Sequence, residues 1–173
     1  MDYSNIKIET ERLNIRPISL KYMEEIYNEF NSEVAKYLIP QPVNDISEIR
    51  NFINISICQS KNGIAIQFEL TNRKEDVFIG IVGVHKIDSR EPELGIWIKA
   101  NSQNKGYGTE SLKGIINWIN MNIDHDHLIY PIDKRNERSR NLIEKLNGRI
   151  VDTRINKNSN DIEFEEVVYW IDR

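Results

Sequence analysis

The stretch Gln103-Asn104-Lys105-Gly106-Tyr107-Gly108-Thr109-Glu110 joins an apolar run, Leu94-Gly95-Ile96-Trp97-Ile98, to a helical pattern that extends from Tyr107 to Ile123. A strand that feeds a helix through two glycines presents unpartnered amide N–H groups, and the helix dipole adds partial positive charge to them. That combination suits an anionic diphosphate. Side chains at positions 106 and 108 would stand between the amides and such a ligand, and glycine also reaches backbone angles closed to other residues. Two familiar phosphate loops do not fit. A Walker A loop ends in Gly-Lys-Ser/Thr, whereas here Lys105 precedes Gly106, and Gly108 is followed by Thr109 and Glu110. A dinucleotide fingerprint needs a third glycine where Ser111 stands, and belongs to the first strand-turn-helix unit of its fold. A plain glycine turn that opens a helix is the remaining alternative.

The totals bound the rest. With 173 residues, the chain suits a single domain spanning residues 1–173 that buries one core without disulfide or metal support. Cys58 is its one cysteine, so no disulfide framework or cysteine-rich zinc site is available, which fits a reducing cytoplasm. The start, Met1-Asp2-Tyr3-Ser4-Asn5, has no secretory pattern, and no apolar run approaches membrane-spanning length. Basic residues number 23 against 27 acidic, a net charge of −4, and no basic block of the nucleic-acid-binding kind occurs. A mildly acidic surface favours a cationic small molecule or peptide.

Along the chain, Ile6-Lys7-Ile8 and Leu13-Asn14-Ile15-Arg16 alternate as one strand that Pro17 stops. Ser19 is the expected N-cap of a helix with Tyr22, Met23, Ile26, Tyr27 and Phe30 on one face. Val34 to Val43, broken by Pro40 and Pro42, reads as a loop that buries something or lines a pocket. A second helix is predicted from Ser47 to Ser60, with Ile49, Phe52, Ile53 and Ile57 inward. The period then changes to two: Ile64 to Leu70, Phe78 to Ile87 and Glu93 to Lys99 form an antiparallel meander. After the helix from Tyr107 come a strand at His127 to Ile132, a helix at Asn136 to Leu146, and strands at Arg149 to Ile155 and Ile162 to Ile171.

This order, with Glu93-Leu94-Gly95-Ile96-Trp97-Ile98 before the glycine loop and Asn136-Glu137-Arg138-Ser139-Arg140 through Glu144-Lys145-Leu146 after it, resembles the GCN5-related N-acetyltransferase (GNAT) superfamily, in its RimJ/RimL branch. The resemblance covers nearly the whole chain. It implies a mixed α+β fold: a largely antiparallel, twisted sheet of about seven strands flanked by about four helices. It also implies a splay between the fourth and fifth predicted strands, Glu93–Lys99 and His127–Ile132, that admits acetyl coenzyme A as cosubstrate. In the family, the amide at the position of Ile98 points at the thioester carbonyl, and its neighbours, here Trp97 and Lys99, hydrogen-bond the pantetheine arm. Gln103, Asn104, Lys105, Gly106, Tyr107, Gly108 and Thr109 would hold the pyrophosphate. Lys105 either adds charge there or is an ordinary exposed lysine.

The implied reaction is acetyl transfer to a primary amine in a ternary complex. A peptide N-terminal amine, with a pKa of roughly 8 against about 10.4 for lysine, deprotonates readily and is the expected acceptor. A polyamine or aminoglycoside is the alternative acceptor, and a non-catalytic acyl-coenzyme A sensor the alternative class. Glu93 is the first candidate for base or amine anchor and His85 the second; each also reads as a structural strand residue. Many members carry a tyrosine seven residues after the motif asparagine, where this chain has Ile143. The branch resemblance points instead to Ser139 as the group that orients a water or hydrogen-bonds the sulfur, and to Asn136 on the pantetheine arm. Asn136 also reads as a simple N-cap.

The remaining features are expected to be structural. His125-Asp126-His127 has metal-like letters in a bend that should be solvated, and no metal is expected. Cys58 reads as a small buried residue and Tyr37 as a pocket wall. A homodimer is a reasonable expectation, through an exposed strand edge at Glu163 to Ile171.

Overall fold

The computed structural model describes residues 1–173. In chain order the elements are β1 (Ile8–Glu9), β2 (Leu13–Pro17), α1 (Met23–Glu29), α2 (Ile46–Asn62), β3 (Ile66–Asn72), β4 (Phe78–His85), β5 (Glu93–Ile98), α3 (Tyr107–Asn122), β6 (His127–Asp133), α4 (Glu137–Glu144), β7 (Arg149–Lys157) and β8 (Glu163–Asp172). All eight strands form one sheet in the order β1-β2-β3-β4-β5-β6-β8-β7. Every neighbouring pair is antiparallel except β5–β6. The expected α+β architecture is therefore present, with one strand more than anticipated. Thr10 breaks the first strand in two: its hydroxyl accepts the Leu13 amide at 3.1 Å, and its own amide donates to the Leu13 carbonyl at 3.0 Å, closing a tight turn.

Helices cover both faces of the sheet. Leu112, Ile115 and Ile119 of α3 and Ile143 of α4 pack with Leu13, Ile15, Phe68, Leu70, Val82, Val84 and Leu94 in the larger core. On the opposite face, Ile26 of α1 and Ile49 and Ile53 of α2 meet Ile18, Tyr22, Phe78 and Ile81. Double coverage explains why β3 is buried along its length, although its alternation suggested one wet face. Its polar face is accommodated locally: Glu69 accepts from the Ser19 amide at 2.9 Å and the Ser19 hydroxyl at 3.1 Å. Burial nonetheless raises the Glu69 pKa above the usual carboxylate value.

Several local expectations need correction. Ser19 caps a short 3-10 turn, Leu20–Tyr22, rather than α1 itself. Asp45 caps α2, its carboxylate accepting from the Ser47 amide. Only the Ile49–Ile53 stripe of α2 enters the core, so Phe52 is 38% exposed and Cys58 is exposed instead of buried. His125 and His127 are buried rather than solvated, His127 being stacked on Trp170 with ring centroids 3.7 Å apart. No group of ligand-type side chains suited to a metal ion is found there or elsewhere. The strand Glu163–Asp172 is interior, paired on both sides, and the sheet edge is β7. Along that edge, Asp152 Oδ1 accepts the Thr153 amide and Asn156 Oδ1 accepts the Lys157 amide, each at 2.8 Å. No helix is long and apolar enough to cross a membrane.

Candidate active site

The one parallel junction of the sheet holds for a single register pair, Glu93 opposite Ile129, with the Ile129 amide donating to the Pro92 carbonyl at 2.8 Å. Beyond it β5 and β6 diverge, as the family resemblance implied, and a strip of β5 backbone has no strand partner on that side. The Lys99 amide donates to Ile79 of β4 at 3.0 Å, so by strand alternation the Trp97 amide also faces β4 and the Ile98 amide faces the gap. The Ile98 carbonyl faces it too, and is bonded by Gln103 Nε2 at 2.8 Å instead of by a strand. Of the three β5 positions singled out from sequence, Ile98 is thus the one whose amide opens into the splay. Trp97 contributes its ring to the aromatic packing with Phe30 and Phe78.

The glycine loop adjoins this gap. Asn104 and Gly106 both have positive φ, 61° and 82°, which turns the chain so that successive amides point the same way. None of the amides from Asn104 to Thr109 has a hydrogen-bond acceptor within the chain, and Glu110 is the first to find one, the Gly106 carbonyl. α2 and α4 are capped by side chains, but α3 begins on Gly106 with no side-chain cap. The result is a run of donors at a helix N-terminus, suited to an anion. Lys105 is exposed at its rim, while Tyr107 and Thr109 are half-buried. The two glycines differ in role. A Cβ at Gly106 would approach only the Arg12 side chain, at 3.2 Å, whereas one at Gly108 would strike Leu142 Cδ1 at 2.8 Å. Gly108 therefore makes room for α4, whatever ligand its amide faces.

A residue far away in sequence fixes the loop. Arg12 donates through its Nη1 to the Lys105 carbonyl at 2.9 Å and through Nε to Glu110 Oε2 at 2.7 Å, and lies 4.7 Å over the Tyr107 ring. Glu110 also accepts the Arg12 amide at 2.7 Å and the Thr10 hydroxyl at 2.6 Å. Its carboxyl pKa stays below the usual range: burial pushes it up, but the Thr10 and Arg12 hydrogen bonds outweigh that. No local pattern announces this clamp, since its two ends lie 98 residues apart. Gln103 ties the same loop to α4 by accepting from Arg138.

On the α4 side, Asn136 does cap the helix, its Oδ1 accepting the Ser139 amide at 3.2 Å. The Ser139 hydroxyl lies 3.0 Å from the Tyr130 hydroxyl on β6. Tyr130 is 2% exposed, and burial pushes its pKa up to about 12 against the smaller opposing pull of Ser139, so its proton stays on the ring oxygen. Ser139 is the only hydrogen-bond partner found for that hydroxyl. A buried phenol left without an acceptor is costly, which favours Tyr130 as donor and leaves the Ser139 proton free to point elsewhere. Tyr130 was not singled out from sequence, although the alternation Leu128-Tyr130-Ile132 places it on the α4 face.

On the other sheet face lies a cleft of about 560 Å³ that touches both β5 and β6. Its walls include Ile26 from α1 and Phe30 just after it, Phe52 from α2, Tyr37 to Gln41 from the expected loop, and Phe164 from β8. Glu93 and His85 both line it and are cross-strand partners, so the structure brings the two candidate bases side by side. Glu93 is partly spent, accepting from Lys86 Nζ at 3.0 Å. His85 lies 3.4 Å from the Gln67 side-chain nitrogen, and burial lowers its pKa below the ordinary imidazole value, with Glu93 opposing part of that effect. By accessible surface His85 is exposed where it lines the cleft, and a neutral imidazole has one nitrogen that can accept a proton. Ser139 and Asn136 do not line this cleft; they stand beyond the splay, on the α4 side.

Comparison with known proteins agrees with this geometry. An uncharacterized N-acetyltransferase, p20 of Bacillus licheniformis, is 25% identical over 160 residues, covering 83% of this chain and 90% of p20. The solved structure of the microcin C7 self-immunity acetyltransferase MccE, in complex with acetyl-CoA and AMP, is similar with a TM-score of 0.86, 21% identity, and coverage of 98% and 97% of the two chains. So is the acetyltransferase from Salmonella typhimurium that modifies the N-terminal serine of ribosomal protein L7/L12, with a TM-score of 0.85, 12% identity, and coverage of 97% and 99%. Residues 12–149 match the acetyltransferase (GNAT) domain, a span that runs from the Arg12 clamp through the splay, the glycine loop and α4 to the first residue of β7, and the chain belongs to that family.

Proposed function

We propose that this chain, acting as one acetyltransferase domain over residues 1–173, transfers the acetyl group of acetyl-CoA to a primary amine, the acceptor being a peptide or protein N-terminus. One observation carries the reading: unpaired amides from Asn104 to Thr109 adjoin a β5–β6 gap into which the Ile98 amide opens. A pyrophosphate on the loop and a pantetheine arm in the gap would bring a thioester carbonyl to that amide. The cleft with Glu93 and His85 opens onto the same gap from the other face.

In this scheme the amine nitrogen attacks the acetyl carbon and an N–C bond forms. Negative charge gathers on the carbonyl oxygen, where the Ile98 amide donates; a comparable donor elsewhere is worth about 3 kcal/mol. The attacking nitrogen loses its proton to His85, to Glu93, or to water held by them. The C–S bond then breaks, the carbonyl re-forms, and the sulfur leaves on the α4 side. There Ser139 hydrogen-bonds it while solvent supplies the proton that makes the free thiol. Base and leaving-group donor thus lie on opposite faces of the sheet.

The test incubates the protein with acetyl-CoA and a panel of N-terminal peptides, polyamines and aminoglycosides, and follows free thiol. Release with peptides supports the reading. Tight acetyl-CoA binding without release for any amine would instead identify a sensor.

A further inference from the structure

The floor of the acceptor cleft is bare at one position, Gly95. Gly83 and Gly95 face each other across β4 and β5, between the His85–Glu93 pair on one side and the Ile81–Trp97 pair on the other, but His85 and Gln67 lie over Gly83, where a Cβ would meet His85 Nε2 at 2.8 Å and Gln67 Oε1 at 2.9 Å. A Cβ built on Gly95 meets no atom within 4 Å, so neither packing nor backbone geometry requires a glycine there. The space above Gly95 belongs to the cleft, whose walls include Phe30, Trp97, Phe52 and Tyr37.

The charges of the cleft are mostly committed elsewhere. Asp133 is held by Arg135, Glu166 by Arg154 and Asn156, and Glu93 by Lys86. Glu48 is the one lining carboxylate without a hydrogen-bond or ion-pair partner. A polycation would find aromatic rings and a single free carboxylate. A flat apolar group would find a surface on which it can lie.

Resting on the acetyltransferase reading above, we infer that the preferred acceptor is a primary amine carried on a flat apolar body that lies over Gly95, beside His85, as an N-terminal aromatic residue would. A free arylalkylamine has the same chemistry, and the test distinguishes the two sources. Thiol release is measured with wild-type protein, acetyl-CoA, and pentapeptides that differ only in beginning with Phe or Ser, alongside phenethylamine and spermidine. We expect kcat/KM at least tenfold higher for the Phe peptide than for the Ser peptide or spermidine; phenethylamine matching the Phe peptide would identify the free amine as the source. Gly95→Val and the milder Gly95→Ala should retain the wild-type melting temperature and acetyl-CoA affinity, and should cut kcat/KM for the Phe peptide tenfold or more in Gly95→Val. Equal or better use of Ser peptide or spermidine, or full Phe-peptide activity in folded Gly95→Val, overturns this inference alone. Acetyl-CoA binding with no thiol release from any amine overturns the acetyltransferase reading and this inference with it.

Discussion

Replacing Gly106 by valine separates a glycine needed for the ligand from one needed for packing. At φ 82° a residue with a Cβ costs about 1–2 kcal/mol, more when β-branched. The new Cβ would also sit 3.2 Å from the Arg12 guanidinium. Shifting Arg12 loosens its bond to the Lys105 carbonyl, worth about 1 kcal/mol. The sum of about 2–3 kcal/mol lowers the melting temperature by about 4–12 °C, at about 2–4 °C per kcal/mol for a chain of this size. Acetyl-CoA affinity should fall further, because the methyl groups rise among the amides proposed to hold its diphosphate. Loss of two charge-assisted hydrogen bonds of about 1.5 kcal/mol each weakens binding about 100-fold. Gly108→Ala is the control: its Cβ meets the flexible end of Leu142, so it should cost stability without a comparable loss of affinity. Isothermal titration calorimetry at a temperature where all three proteins are folded decides the matter. Equal affinity in wild type and Gly106→Val would refute the phosphate-cradle reasoning.

Three further outcomes are expected. Ser139→Ala and Tyr130→Phe should each slow turnover a few-fold with little change in KM for acetyl-CoA, and the double variant should be no slower than the worse single one; wild-type steady-state rates in Ser139→Ala would remove its role. If His85 is the base, its lowered pKa keeps it neutral and active above pH 6.5, the usual imidazole value, so kcat/KM should show, besides the limb of the acceptor amine near about 8, a second limb on acidification below the imidazole value. Removing the opposing influence of Glu93 by Glu93→Gln should move that limb further down, and His85→Gln should abolish it, as pH–rate profiles would show. Glu110→Ala strands the Thr10 hydroxyl, the Arg12 amide and the Arg12 guanidinium together, and should cost about 2 kcal/mol in urea unfolding, while a cost near zero would contradict the clamp.

What could be read in the sequence was whatever a short window determines. The change from helical to two-residue period at Ile64, the glycine loop after Trp97-Ile98, and Asn136 before α4 each carry their own local chemistry, and each lies where expected. Illegible features depended on distant partners. Arg12 reaches Glu110 only after the sheet and α3 have come together, and Ser139 meets Tyr130 only through the packing of α4 on β6. Cys58 and Phe52 were misplaced because an apolar letter on a helix does not say which stripe wins the core, and here the Ile49–Ile53 stripe does. His125 and His127 looked solvated because a bend usually is, yet Trp170 from β8 covers His127. Gly95 was quoted in the family segment without a reason of its own; only the open space at its Cβ position, beneath the cleft, shows that it clears a floor.

The outer margin of the sheet has a consequence for how copies of this chain meet. Because Asp152 and Asn156 engage the Thr153 and Lys157 amides at β7, a visiting ribbon finds half-occupied hydrogen-bonding positions and gains little by docking in continuation. A symmetric pair that meets on this side of the sheet would associate through side chains on the hairpin's broad surfaces.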